Sequence, residues 1–218
     1  MILKEIEQRQ SVRQFSDKKI SDEDIKQILE AGRLAPSWMN VQPWHFIVVD
    51  NDETKNLLSQ SANNQKQIKD ASHIIVMLGD FSAWNNKNFG QILAEKGIPE
   101  EGVQQILSNK GYNPAKNTNA VLVARTMEQC SFSISFMNLQ AQSLNIDSCI
   151  IGAFANELTG FSPEIYQKVK ETLNIPESSM IAGMLALGYR QEGVKNLPKK
   201  RKSFETVVSY EKYGQKFE

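Results

Sequence analysis

The sequence predicts an α+β fold, and three features of its apolar pattern lead to that prediction. Four apolar runs rich in β-branched residues have the length of strands. Other segments repeat apolar residues every three or four positions, as helices do. Strand-like and helix-like segments alternate without the regularity of repeated strand–helix–strand units, which argues against a doubly wound parallel sheet. The predicted strands cover residues 45–49, 74–78, 148–154 and 180–189.

Capping residues and prolines indicate where helices begin and end. Ser21 and Asp24 have the spacing of a capping box, and the helical pattern that follows is stopped by Pro36. Ser162 before Pro163 predicts another helix start, with the serine as N-cap. Further helical patterns cover residues 2–9 and 53–61, and a weaker one covers residues 99–109.

Residues 120–144 fit two interpretations. The stretch 130–136 alternates apolar residues with serine, which is typical of a strand. Apolar residues also recur at three-four spacing through the whole segment without glycine or proline, and this length favours a helix. A second apolar stripe, formed by Phe132, Phe136 and Leu139, predicts a helix that is buried on two sides. Such a helix lies either at the centre of the domain or against a partner chain.

Composition and charge exclude several classes of protein. The chain has 218 residues, which suits a single domain over residues 1–218. Lysine plus arginine and aspartate plus glutamate number 25 each, so no global attraction to nucleic acid or to a membrane surface is expected. Cys130 and Cys149 are the two cysteines, which disfavours a disulfide framework. Without a signal-peptide core or a long apolar run, the sequence predicts a cytoplasmic protein.

Common catalytic motifs are missing. The sequence has no glycine-rich dinucleotide fingerprint, no P-loop and no G-x-S-x-G elbow. His45 and His73 are the two histidines, so a histidine-rich metal site is excluded, and both lie in or beside predicted strands. No metal is expected. If the protein is an enzyme, a bound cofactor is expected to supply the chemistry.

Two segments near the N-terminus carry side chains suited to ligand binding. Arg9, Ser11 and Arg13 follow a short predicted helix, and arginine forks suit phosphate, although a solvated helix end is the alternative. Residues 36–44 form a loop with two tryptophans and two amides. Amides can pair with the edge of a heterocycle, whereas the alternative is a packed turn anchored by Trp44.

A third segment, residues 195–202, carries five cations. Clustered cations repel one another unless they are solvated or paired with an anion. The alternatives are a solvated tail, a basic targeting patch and a fixed anion site, and Pro198 favours the last because it stiffens the backbone.

Together these segments resemble the nitroreductase family, and the resemblance covers nearly the whole chain. The family's motifs appear in order: Arg-x-Ser-x-Arg/Lys, then Pro-Ser-x-x-Asn-x-Gln-Pro-Trp, then Asn ahead of Asp-Ala-Ser-His, then Pro-Lys-x-Arg. Each motif is weak alone, but four in order are specific. The matching residues are Arg9, Ser11 and Arg13; Pro36, Ser37, Asn40, Gln42, Pro43 and Trp44; Asn64 and Asp70, Ala71, Ser72 and His73; and Pro198, Lys199 and Arg201.

The resemblance implies a central, mostly antiparallel sheet flanked by helices, in an intertwined homodimer that binds FMN without covalent bonds. It places phosphate and ribityl contacts at Arg9, Ser11, Lys199 and Arg201. It implies no catalytic acid or base, and it gives Arg13 an electrostatic role beside the reduced flavin. The implied cofactor-binding residues are Arg9, Gln10, Ser11, Arg13, Pro36, Ser37, Trp38, Asn40, Asn64, Gln67, Ile151, Gly152, Ala153, Lys199 and Arg201.

The resemblance also divides the flavin contacts between two subunits. Ser37, Trp38 and Asn40 would reach the flavin held mainly by the partner, and Asn64 would bond the polar edge of the ring. The strand end 150–154 would lie beside flavin N5, where Gly152 permits close approach of the backbone.

Two positions depart from relatives. Gly152 and Ala153 stand where some have Glu-Gly, which removes a side-chain role for the acid. Gln67 stands where some have lysine, which leaves the preference between NADH and NADPH open.

The implied reaction is ping-pong. NAD(P)H reduces the flavin, and a small-molecule electron acceptor, such as a nitroaromatic or a quinone, then takes its place. Residues 80–119 would form a flap over the site, with Trp84, Phe89 and Tyr112 as candidate lining, and the tail at 203–218 would embrace the partner. Two alternatives are a specialised substrate (dehalogenation, flavin breakdown or dehydrogenation) and a non-enzymatic flavin-binding module.

Overall fold

The computed structural model describes residues 1–196 and 198–217 and is built around an antiparallel sheet. Leu197, in the basic segment, and Glu218, at the end of the predicted tail, lie outside the described residues. The strands are β1 (Trp44–Val49), β2 (His73–Asp80), β3 (Asp147–Ile151) and β4 (Ser179–Gly188). They lie in the order β1-β2-β4-β3, and each neighbouring pair is antiparallel. The predicted α+β class and the antiparallel sheet are confirmed.

The helices cover both faces of the sheet. Their bounds are α1 (Lys4–Gln8), α2 (Asp22–Arg33), α3 (Asp52–Ser61), α4 (Lys66–Asp70), α5 (Asn86–Glu95), α6 (Glu100–Ser108), α7 (Asn119–Ser143), α8 (Pro163–Thr172) and α9 (Phe204–Val207). Side chains of β2 alternate between two apolar layers, as the pleat requires. Ile74 and Val76 pack with α3, α4 and α8, whereas Ile75 and Met77 pack with α2 and α7.

Helix α7 confirms the helical interpretation of residues 120–144. Cys130, Ile134 and Met137 on one stripe are buried against the sheet. On the second stripe, Phe132 and Phe136 are 42% and 43% exposed in the single chain. One predicted side is therefore buried within this chain, and the other forms an apolar surface that remains open to a partner.

The crossing of α2 and α7 depends on a glycine. A Cβ atom at Gly32 would lie 2.6 Å from Cγ of Met137. The hydroxyl of Ser133 donates to the carbonyl oxygen of Gly32 at 2.9 Å. This close approach fixes α7, and α7 in turn carries residues that contact the loop at 36–44.

Three local predictions need correction. The third strand ends at Ile151 rather than at residue 154, because its pairing with β4 stops there. Ser162 precedes α8 but does not cap it: its φ is +44°, and its side chain makes no capping hydrogen bond. The weak helix at 99–109 is α6, and a second helix, α5, was missed although Asn85 caps it through the N–H of Asn88.

Residues 80–119 carry an apolar cluster of their own. Phe89, Leu93 and Leu107 are buried there, and Val41 from the loop at 36–44 joins them. Trp84 is 1% exposed, and its indole N–H donates to the hydroxyl of Thr126 on α7 at 2.9 Å. The proposed lining role for Phe89 is wrong in this structure, because its fully buried ring packs edge-on against Trp84 within the cluster.

The C-terminal stretch 203–217 makes little buried contact with its own chain. Apart from Val208, which is partly buried, its described side chains are exposed. The ring of Phe217 contacts those of Phe204 and Tyr210 within the stretch itself. Within the described chain, no helix is both long enough and apolar enough to cross a membrane.

Candidate functional site

The segment with the two arginines runs beside β3. The backbone N–H of Val12 donates to the carbonyl oxygen of Ser148 at 2.9 Å, and Ser11 forms a parallel bridge with the same strand residue. Val12 is buried, whereas its neighbours Ser11 and Arg13 are exposed. This alternation is that of an extended segment, and it turns the polar side chains away from the core.

These polar side chains line a cleft together with the basic segment near the C-terminus. The cleft, called here the cation cleft, has a volume of about 500 Å³, within the usual range of ligand sites. The structure thus brings together six predicted site residues that are nearly 190 positions apart in sequence. They are Arg9, Gln10, Ser11, Arg13, Lys199 and Arg201.

The electrostatics of the cation cleft favour an anion. Within residues 1–196 and 198–217, no carboxylate lies within 4 Å of the guanidinium groups of Arg9, Arg13 or Arg201. Partial desolvation, and then repulsion from Arg9 and Arg201, lowers the pKa of Lys199. Lys199 donates to the carbonyl oxygen of Ile6 at 3.1 Å, which ties it to α1. A bound anion would relieve the repulsion between these cations.

A second group of predicted residues surrounds the end of β3. Gly152 and Ala153 are exposed, and a Cβ atom added at Gly152 would meet no described atom within 4 Å. The amide of Gln65 donates to the carbonyl oxygen of Ala153 at 2.9 Å, and the amide of Gln67 donates to Gln65 at 2.6 Å. These two hydrogen bonds hold the buried side chain of Gln67 near the end of β3. Ile151, the last residue of β3, is also buried, and it anchors the strand end in the core.

Asn64 lies at the turn between α3 and α4. Asn63 and Asn64 both have positive φ, 56° and 55°, a conformation that asparagine adopts more readily than most residues. The N–H of Asn64 donates to the carbonyl oxygen of Ser59 at 2.8 Å, and the residue is exposed. The turn is thus fixed by its backbone, which leaves the side chain of Asn64 exposed at the surface.

The third group is the loop at 36–44, called here the tryptophan loop. Met39, Asn40 and Gln42 have φ of 46°, 60° and 48°, so three side-chain-bearing residues occupy the left-handed region. Such conformations cost free energy and persist where the surroundings impose them. The hydroxyl of Ser37 accepts from the N–H of Gln42 at 3.0 Å, and Lys96 donates to the carbonyl oxygen of Met39 at 2.8 Å.

The tryptophan loop is also fixed from α7. The side-chain oxygen of Gln129, which is 2% exposed, accepts from the backbone N–H of Trp38 at 2.6 Å. The two tryptophans then differ. Trp44 packs against the apolar layer between the sheet and α7, as the packed-turn interpretation predicts. Trp38 is 46% exposed, and its indole N–H donates to the carbonyl oxygen of Tyr112 at 3.2 Å. Pro36 and Asn40 are exposed beside it.

A smaller cavity of about 180 Å³ lies between Trp38 and residues 110–128, and it is called here the tryptophan cavity. It shares no described lining residue with the cation cleft. A single chain therefore presents the predicted site residues in separate groups, of which the tryptophan loop is one and the cation cleft another.

Several lining residues were not predicted. Gln14 and Arg190 line the cation cleft, and Arg190 is held there by an ion pair with Asp147 at 2.8 Å. Gln129 was missed because its contact spans 91 residues, although a polar side chain next to a buried apolar stripe was the available signal. Lys110, Arg125 and Glu128 of the tryptophan cavity gave no signal, since charged residues at the surface are usually solvated.

Comparison with known proteins identifies the family. Residues 6–189 match the model of the Nitroreductase family. A protein of Archaeoglobus fulgidus is 31% identical over 190 residues, which are 87% of this chain and 86% of that one. The major NAD(P)H-flavin oxidoreductase of Aliivibrio fischeri is 30% identical, over 95% of this chain and 97% of that one.

A solved structure supports the same fold. A protein of Exiguobacterium sibiricum, determined in complex with FMN, superposes with a TM-score of 0.73 at 24% identity, covering 94% of this chain and 95% of that one. Since the family model and both curated relatives span most of the sequence, the chain belongs to the nitroreductase family of oxidoreductases.

Proposed function

We propose that the protein is a homodimeric FMN oxidoreductase that takes electrons from NAD(P)H and passes them to a nitroaromatic, a quinone or a similar small acceptor by a ping-pong mechanism. The observation that carries this proposal is the cation cleft, where no carboxylate of the described residues lies within 4 Å of the guanidinium groups of Arg9, Arg13 or Arg201. FMN is the cofactor that membership of the family implies, and its phosphate is the anion that the cleft suits.

The residues present fit FMN at two places. Arg9, Ser11, Lys199 and Arg201 offer charged and hydroxyl donors to a phosphate and to the ribityl hydroxyls. At the other, the exposed backbone at Gly152 leaves space that a side chain would fill, so a planar ring can approach it closely. Asn64 is an exposed amide suited to the polar edge of such a ring.

Bound FMN supplies the electron-transfer chemistry. The chain contributes position and charge. Arg13, an exposed cation beside β3, would stabilise negative charge that develops near it. The hydrogen bonds from Gln67 to Gln65 and from Gln65 to Ala153 hold the backbone at Ala153. That backbone would offer its N–H to the flavin ring. No side-chain acid is required at this point, in agreement with the Gly152-Ala153 sequence.

A second copy of the chain would complete the site. The exposed apolar stripe of Phe132 and Phe136 and the exposed tail at 203–217 are the surfaces that it would cover. The tryptophan loop would then reach the flavin held in the partner's cation cleft, which accounts for the distance between the two within one chain. Residues 80–119 would form a flap beside the loop. Dependence on NAD(P)H also favours a cytoplasmic location.

The test is a visible absorbance spectrum of the purified protein before and after anaerobic addition of NADPH or NADH. We expect flavin bands that bleach on addition of the nucleotide. A colourless protein that also takes up no added FMN would contradict the proposal. Flavin that stays oxidised with either nucleotide would instead favour a non-enzymatic flavin-binding module.

A further inference from the structure

The tryptophan cavity has aromatic walls that are fixed in place. Trp38 and Tyr112 flank it and are 46% and 47% exposed, and buried Trp84 also lines it. The hydrogen bond from the Trp38 indole to the Tyr112 carbonyl links the two exposed walls. Pro114 and Val121 add apolar surface. Such walls suit a flat ring, because stacked aromatic contacts bury area without ordering a flexible side chain.

The charges in the tryptophan cavity do not cancel. Nη1 of Arg125 lies 2.9 Å and 3.1 Å from the two carboxylate oxygens of Glu128, so these two form an ion pair. Gln129 also donates to Glu128 at 2.9 Å. Lys110 is the remaining cation of the lining, and no carboxylate of the described chain lies within 4 Å of its ammonium group. The net charge of the lining is therefore +1.

The same hydrogen bonds join the cavity to the tryptophan loop. Gln129 accepts from the N–H of Trp38 with its oxygen and donates to Glu128 with its nitrogen. Glu128 in turn forms the ion pair with Arg125. A continuous series of contacts therefore connects the tryptophan loop, helix α7 and the guanidinium group of Arg125. The cavity is thus organised before any ligand arrives, which lowers the entropy cost of binding.

The volume of the cavity suits a single ring. At about 180 Å³ the cavity is close to an engineered protein cavity of about 150 Å³ that binds benzene. A fused three-ring system such as a flavin would extend beyond it. Together, the size, the aromatic walls and the single unpaired cation define a class of ligand.

We propose that the tryptophan cavity binds a single aromatic ring bearing one negative charge, such as 4-nitrobenzoate, and that Lys110 selects it over neutral rings. The role of this ring as electron acceptor rests on the proposed function, whereas its binding does not. Lys110 acts here as a specificity residue and takes no part in electron transfer.

The binding test uses calorimetric titration of the purified protein with 4-nitrobenzoate and with neutral 4-nitrobenzamide. We expect Lys110→Met to weaken binding of the acid about tenfold, the effect of a lost charge-assisted contact, and to leave the amide unchanged. Lys116→Met is the matched control, since Lys116 is also exposed but does not line the cavity. Equal binding of the acid to both variants would overturn the assignment of Lys110.

A second variant tests the ring rather than the charge. Trp38→Leu should weaken the acid and the amide alike, because it removes an aromatic wall and leaves Lys110 in place. Undiminished binding of both compounds to this variant would show that the ligand lies elsewhere.

Kinetics then test the role as acceptor. In Lys110→Met we expect kcat/KM for 4-nitrobenzoate to fall about tenfold, with 4-nitrobenzamide unchanged. A rise in KM for NADPH alone would mean that the cation serves the nucleotide phosphate, and it would overturn the proposal. If NAD(P)H fails to reduce the flavin, the proposed function fails, but calorimetry still decides whether the cavity binds the ring.

Discussion

The cation cleft and the tryptophan loop differ in what stabilises them. The cleft gathers cations beside an extended backbone segment, and of its arginines only Arg190 is paired with a carboxylate of the described chain. The loop at 36–44 has no charged residue, but three of its residues occupy the left-handed region, and hydrogen bonds from Gln129 and Lys96 hold it there. The cleft therefore depends on an anionic ligand to offset the repulsion between its cations, whereas hydrogen bonds within the same chain hold the loop.

This difference explains why a single chain carries the cation cleft and the tryptophan loop as separate sites. A charged cleft binds firmly but is not selective, because any suitable anion relieves its repulsion. A rigid uncharged loop adds shape without adding charge. If the site is completed by a second copy, each copy supplies charge to its own flavin and shape to the partner's. Substitutions in each region separate these contributions.

The largest expected effect comes from the exposed face of α7. Phe136→Glu should convert the proposed dimer to a monomer, because burying a polar group without partners in an apolar interface costs on the order of 2–7 kcal/mol. Light scattering after size-exclusion chromatography measures the mass. Val48→Glu, on an exposed position of edge strand β1, is the control and should remain dimeric. A dimeric Phe136→Glu variant would move the interface away from this face of α7.

The next effect concerns the charge in the cleft. Arg9→Ala or Arg201→Ala should weaken FMN binding by roughly 1.5–3 kcal/mol, the usual contribution of a hydrogen bond to a charged group. Fluorescence titration of the apoprotein with FMN measures the change. Lys202→Ala is the matched control, because Lys202 is exposed in the same basic segment but does not line the cleft. Unchanged affinity in both arginine variants would refute the phosphate assignment.

The residues that sequence reasoning identified best are those whose motif fixes them regardless of context. Arg9, Arg13 and Arg201 were singled out because each motif carries its residue types in one short segment, and the structure brings them to one cleft, whereas Arg190 of the same cleft was missed. Their roles as flavin contacts stay predictions. Length resolved residues 120–144 correctly, since a helix of 25 residues leaves little room for a strand. Its second apolar stripe predicted a buried surface that the single chain leaves exposed.

What could not be predicted depends on contacts between distant parts of the chain. Ser162 was assigned as an N-cap from its neighbour Pro163, but its backbone is left-handed and its side chain makes no capping hydrogen bond, and no local signal marks this. The end of β3 at Ile151 is set by where β4 stops pairing. Gln129 and Lys110 acquire their roles only when α7 and the region after α6 meet the tryptophan loop.

A smaller effect is expected from the hydrogen bond that holds the loop. Gln129→Met leaves the N–H of Trp38 without its partner, which should lower the free energy of unfolding by about 1–3 kcal/mol. Urea unfolding monitored by circular dichroism measures it. Gln140→Met, on a half-buried position of the same helix, should cost little. If both variants lose equal stability, the loop is held by its other contacts, and the contrast with the cleft is weaker than proposed.

The smallest effect is a pH dependence that acts on the sheet to which both regions attach. Burial lowers the pKa of His73 below its ordinary value of 6.5. The hydroxyl of Ser72 accepts from the N–H of Ile20 at 2.9 Å, so its own proton can go to Nδ1 of His73, 3.0 Å away, which suits a neutral ring. Because the unfolded chain binds the proton more readily, stability is fully present above pH 6.5 and falls as the pH drops from 6.5 through the folded pKa.

His73→Gln should therefore lose less stability than the wild type when thermal unfolding at pH 7.5 is compared with that at pH 5.5. His45→Gln, on an exposed position of β1, is the control and should keep the wild-type dependence. If His73→Gln keeps it too, the acid sensitivity arises from other groups. With this dependence removed, any difference in acid sensitivity between the cleft and loop variants reports on the two regions themselves, because the sheet that supports them no longer titrates through His73.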